Sequence, residues 1–76
     1  MDADEWIAEF AAAAGSKAPD QAEIERILKL AAVAAHSSER IAAPLACWIA
    51  GGAGLGLERA IELAEGIAPA ASADRP

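Results

Sequence analysis

The stretch from Pro19 to Ser38, PDQAEIERILKLAAVAAHSS, decides the fold. Asp20 stands directly after Pro19, and Glu23 follows three residues on. That spacing is a capping box, in which each carboxylate accepts a backbone N–H that a helix start would otherwise leave unpaired. Ile24, Ile27, Leu28, Ala31, Ala34 and Ala35 then recur at the helical period and form an inward stripe. Glu25 and Lys29, four apart with the acid first, suit an ion pair on another face. Leu30 and Val33 fall off the stripe, so this helix is apolar on more than one side. Such a helix is central to a bundle or carries a partner. It fades at His36-Ser37-Ser38.

The flanks extend the same pattern. Towards the N-terminus, Asp2 caps a helix expected over Ala3–Ala14, with Asp4 and Glu5 in its first turn and Gly15 placed to end it. Ala3, Trp6, Ile7, Phe10, Ala11 and Ala14 keep helical spacing, which reads as a core-facing stripe with two aromatic anchors. Beyond the central helix, a third begins around Ala42 to Pro44, where a first turn tolerates proline, and stops at Gly51-Gly52. Leu45, Cys47, Trp48 and Ile49 make it apolar nearly all round. A fourth is expected over Leu57–Glu65, closed by Gly66. The remainder, Ala68 to Pro76, has the composition of a disordered tail. Alanine fills 23 of 76 positions, and it is the best helix former. The expected fold is therefore all-α: one compact bundle of three to four short helices over residues 1–67, followed by a disordered tail over 68–76.

Size and charge limit the functions open to this chain. Seventy-six residues make one domain, with a core too small to carry a separate substrate domain. Twelve acidic residues against six basic ones give a net charge of −6. The basic residues are scattered, so neither nucleic acid nor an anionic membrane is an expected partner. The longest charge-free run, Ile41–Leu57, is interrupted by Pro44 and four glycines and does not read as a membrane span. A single cysteine, with an acidic start in place of a signal-like segment, points to a reducing compartment, the cytoplasm.

Four features invite a chemical reading. Gly52-Ala53-Gly54-Leu55-Gly56 imitates a dinucleotide-binding turn, but its spacing is G-x-G-x-G, and no second strand with an acidic ribose ligand follows. The Gly51–Gly56 segment reads instead as an interhelical loop. His36 is the one histidine; at a helix C-terminus it suits the dipole, and no residue is singled out as its catalytic partner. Cys47 sits in the most apolar segment, away from the positive charge that activates thiols, and reads as a small core residue. No metal-ligand spacing is present. The carboxylates, including the pairs Glu5/Glu9 and Glu58/Glu62, read as a solvated acidic face. No cofactor and no catalytic residue are expected, and the chain does not read as an enzyme. Acyl carriers are also acidic bundles of this length, but Ser16, Ser37, Ser38 and Ser72 lack the helix-opening D-S-L setting that a carrier needs.

Three short motifs carry a resemblance. Asp4-Glu5-Trp6, then Ala35-His36, then Arg40-Ile41-Ala42-Ala43-Pro44-Leu45 resemble D-E-W, A-H and R-P-A-A-P-L in a small actinobacterial domain of unknown function. That domain occurs beside molybdenum cofactor guanylyltransferases, or fused to their C-termini. The resemblance covers about Asp4 to Gly66. Ile41 stands where the family often has proline, and Cys47-Trp48-Ile49 replaces a run containing Thr and Phe. It implies a helical accessory domain near molybdopterin guanine dinucleotide synthesis, with a guanylyltransferase as a partner, and it brings no catalytic residue.

The function expected is thus a non-enzymatic accessory or protein-interaction module; the alternatives are an acidic carrier domain and a small nucleotide binder using the Gly51–Gly56 loop. Its contact residues would be Trp48, Leu30 and Val33, with Glu39 and Arg40 as a polar rim, against a protein partner or a second copy. Trp6 is assigned to the core. Trp48 stays open between core and interface, since tryptophan fills either role.

Overall fold

The computed structural model describes the backbone of residues 1–73 and the side chains of residues 1–68. Four helices follow in order: α1 (Ala3–Ala14), α2 (Gln21–Ser37), α3 (Ala42–Gly52) and α4 (Leu57–Ala73), with no strand among the described residues. The all-α architecture is the one the sequence calls for. Its local punctuation is also as expected. Asp20 Oδ1 accepts the Glu23 N–H at 2.8 Å, and the Asp20 N–H donates to Glu23 Oε1 at 2.8 Å. Asp2 and Glu5 repeat the box at the head of α1. Gly15 ends α1 in the left-handed region at φ 72°, a conformation that costs glycine little because it has no Cβ.

The fourth helix departs from expectation. It continues through Gly66 and reaches Ala73, where a stop at Glu65 was expected. Glycine closes a helix by turning left-handed, and only Gly15 and Gly54 do so here. Gly66 keeps a helical backbone and is an exposed interior residue. The tail expected from Ala68 thus has helical backbone as far as Ala73; residues 74–76, and the side chains after Ala68, lie outside the described residues. A Cβ added at Gly66 meets nothing within 4 Å. Gly66→Ala should therefore stabilise the domain by about 0.5–1 kcal/mol, read as a higher thermal midpoint by circular dichroism. A lower midpoint would contradict a helical Gly66.

Packing is organised on α2. Both α3 and α4 lie against it, whereas α1 touches the rest of the chain sparingly. Leu30 is the centre of the core at 3% exposure, packed with Ala50 of α3 and Ala60 of α4. Cys47, Leu55, Ile61 and Ala64 close in around them. Leu30 was expected off the inward stripe, as a partner contact. It is buried because α2 is flanked by helices on two sides, so the second apolar face is covered by the chain itself. Leu28 corrects in the opposite sense: assigned inward, it is 62% exposed.

The N-terminal helix brings the largest correction. Trp6 and Phe10, expected as core anchors, are 54% and 58% exposed. Their rings instead stack on each other, with centroids 5.2 Å apart and planes 21° off parallel. The physical reason lies in the core's composition. Its centre is one leucine among alanines, so α2, α3 and α4 need no bulky aromatic between them, and α1 stands aside. The molecule measures 43 × 25 × 19 Å. Of the ion pairs among the described residues, Arg26–Glu58 at 2.6 Å links α2 to the start of α4. The Glu25–Lys29 pair expected from spacing is not one of them.

Candidate functional site

Helix α3 reads AAPLACWIAGG and contains no charged residue. A rotation of 100° per residue gathers Ala43, Ala46, Cys47 and Ala50 on one face and Ile41, Leu45, Trp48 and Ile49 on the other. The structure turns the small face inward: Ala50 is buried, and Ala43, Ala46 and Cys47 are half-buried. The large face is exposed along its whole length, with Trp48 at 78%. Ordinary surface helices bury their bulk and expose polar groups. This one is reversed, and both of its faces are apolar.

Exposure of Trp48 removes the core reading of that residue. The outer face holds together as a surface feature. Ile41, Leu45 and Trp48 recur at i, i+4 and i+7, so they form one ridge, with Ile49 beside it. The nearest formal charges in sequence are Arg40 and Glu58, both exposed. Glu39 and Arg40 occupy the turn that starts α3, where their carbonyls accept the Ala42 and Ala43 N–H groups. They are placed at the ridge's N-terminal end. Val33 lies elsewhere: half-buried, it lines a cavity of about 490 Å³ between α2 and α4, together with Lys29, His36, Ser37 and Glu65. Leu30 is in the core. Of the five candidate contacts, the structure brings Trp48, Glu39 and Arg40 to one helix and its leading turn.

Three apolar positions on that face, Ile41, Leu45 and Ile49, were not singled out as contacts. The signal was present as a size pattern. Bulky and small residues alternate at helical spacing along α3, although hydrophobicity alone makes the segment look uniform.

The other sequence features resolve into structure. Gly54 lies at φ 69° and ends α3: its N–H bonds to the Gly51 carbonyl, and the Leu55 N–H bonds to the Ala50 carbonyl. The segment before the glycines is a helix, so the strand that leads into a dinucleotide turn is replaced. Cys47 packs against the core cluster, and burial pushes its thiol above the usual 9.0. A raised value keeps the sulfur protonated at neutral pH, where only the thiolate attacks. Alkylation of Cys47 at pH 7.5 should be slower in the folded protein than in urea; equal rates would contradict its placement. Among the described residues, no group of three His, Cys, Asp or Glu side chains could hold a metal ion. No helix among them is long and apolar enough to cross a membrane.

A second concave feature lies between α1 and α2. It is a groove of about 620 Å³ with a mainly apolar lining that includes Ile7, Ile24, Ile27 and Leu28, together with Asp4 and Gln21. A smaller cavity of about 190 Å³ adjoins Leu30, Cys47 and Leu55 beside the core. No match is found among curated proteins or among solved structures. A family model described as a domain of unknown function, DUF6457, matches residues 1–75, and the chain belongs to that family.

Proposed function

We propose that this domain is a non-enzymatic accessory module that works by protein contact through the outer face of α3. One observation carries the reading: α3 turns alanine and cysteine inward and Ile41, Leu45, Trp48 and Ile49 outward. Isolated exposed apolar residues are ordinary, but a contiguous uncharged patch rimmed by polar residues marks a contact site. Tryptophan at its centre is the residue type that most often dominates binding energy. The partner we assign, on the resemblance of Asp4-Glu5-Trp6, Ala35-His36 and Arg40–Leu45, is a molybdenum cofactor guanylyltransferase of an actinobacterial cytoplasm. The domain would assist molybdopterin guanine dinucleotide synthesis by binding that enzyme, with no cofactor or metal of its own.

Co-expression tests the assignment. A tagged chain should retain the guanylyltransferase through purification, and Trp48→Glu should lose it while circular dichroism stays unchanged. Failure to retain the enzyme at micromolar concentrations of both proteins would sink the guanylyltransferase assignment.

A further inference from the structure

Within one chain, an uncharged convex ridge and an apolar groove of matching length stand uncovered. We propose that they cover each other between two copies: the ridge of α3, carrying Ile41, Leu45 and Trp48, seats in the groove between α1 and α2 of a second molecule, and the exchange is reciprocal. This goes beyond the accessory reading by naming what covers the α3 face when the protein is alone.

Three observations favour a second copy. The first is area. A stable interface of standard size removes roughly 800 Å² per partner. One α3 ridge against another would bring only four bulky side chains from each copy. A reciprocal exchange uses ridge and groove on both molecules, and so draws on two surfaces per chain. Contact of residue i with j and of j with i is also what a closed two-fold dimer requires.

The second observation is shape. At 1.5 Å per residue, the ridge from Ile41 to Trp48 spans about 10 Å, as does the groove's α2 wall from Gln21 to Leu28. Ridge and wall match in length, and helix-in-groove docking is a recurrent recognition mode. Ile7, Ile24 and Leu28 give the groove apolar bulk. The sparing contact of α1 with the rest of its own chain is accounted for if the groove's occupant completes its packing.

The third is charge. Two copies at −6 each repel, so close approach favours surfaces with little charge: the ridge carries none, and the groove's lining carries one, Asp4. The run Ile41–Leu57 is the longest charge-free segment in the sequence. A dimer made this way strengthens as salt screens the repulsion, the reverse of an interface held by ion pairs.

Sedimentation equilibrium on the purified chain tests the proposal. The wild type should dimerise, and more tightly at 0.5 M than at 0.05 M sodium chloride. Trp48→Glu on the ridge and Leu28→Lys in the groove should each weaken dimerisation roughly 30-fold or more, since loss of a hot-spot contact exceeds about 2 kcal/mol. Both positions are exposed, so the fold should survive each change. Mixing the two variants supplies the decisive arm. The Leu28→Lys copy has an intact ridge and the Trp48→Glu copy an intact groove, so one contact is restored and the other pairs Glu with Lys. A mixed dimer tighter than either variant alone supports the exchange. No recovery on mixing, or a Leu28→Lys variant that dimerises normally, would overturn it in favour of ridge against ridge. A wild type monomeric at millimolar concentration would overturn self-association outright. If that monomer still retained the guanylyltransferase through Trp48, the accessory reading would stand alone. A dimer that retained no enzyme would sink that assignment and leave the exchange in place.

Discussion

Leu30→Ala is expected to remove about 2–5 kcal/mol of folding stability, the largest single effect in the molecule. Leu30 is the one bulky side chain at the centre of a core otherwise built from Ala50 and Ala60. The spread in such costs reflects how well the surroundings collapse into the space left behind. Here a cavity of about 190 Å³ already borders Leu30, so truncation enlarges a void that the helices have not closed. A 76-residue domain has only roughly 4–11 kcal/mol to lose. Thermal melts should show the midpoint falling by roughly 10–30 °C, with a sizeable unfolded fraction at 37 °C. A loss below about 1 kcal/mol would mean that the three helices are not held at this point.

Ala60→Leu should destabilise by about 1–3 kcal/mol for the opposite reason, overpacking. Ala60 is 5% exposed and lies where α4 meets α2 at Leu30. Its methyl group is what lets the helices approach. Three extra carbons must displace α4 or force Leu30 out of its rotamer. Chemical denaturation would read the loss. A neutral or stabilising result would show that α4 does not press on α2 there.

Much of this architecture is legible in the residues. The Asp20–Glu23 box and the Asp2 cap fix two helix starts, and apolar residues spaced three and four apart fix the class. What the pattern could not supply is direction. Leu28 and Leu30 differ by two positions and 200° around α2, and which of them is buried depends on where α3 and α4 lie. The same holds for α1. Trp6 and Phe10 form a proper amphipathic stripe, but a stripe says only that burial is favourable, not that the chain's own core has room. Gly66 misled because a helix-ending glycine and a tolerated interior glycine look alike until the backbone is known. At the site, Trp48 was readable as an interface candidate from its all-apolar surroundings. Its neighbours Ile41, Leu45 and Ile49 needed the distinction between bulky and small apolar residues. Hydrophobicity counts blur that distinction, and packing depends on it.

The claim on which function rests is that α3 presents its bulky face to the outside. Fluorescence of a Trp6→Phe variant, in which Trp48 is the sole emitter, tests it directly. Trp6 is half-exposed and stacked on Phe10, so phenylalanine is a mild replacement there. At nanomolar concentration Trp48 should emit at the red, water-exposed end of the tryptophan range and be quenched freely by iodide. As concentration rises and the face is covered, emission should move to the blue and quenching should fall. Blue, shielded emission at the lowest concentration would place Trp48 in the monomer's own core and contradict the account.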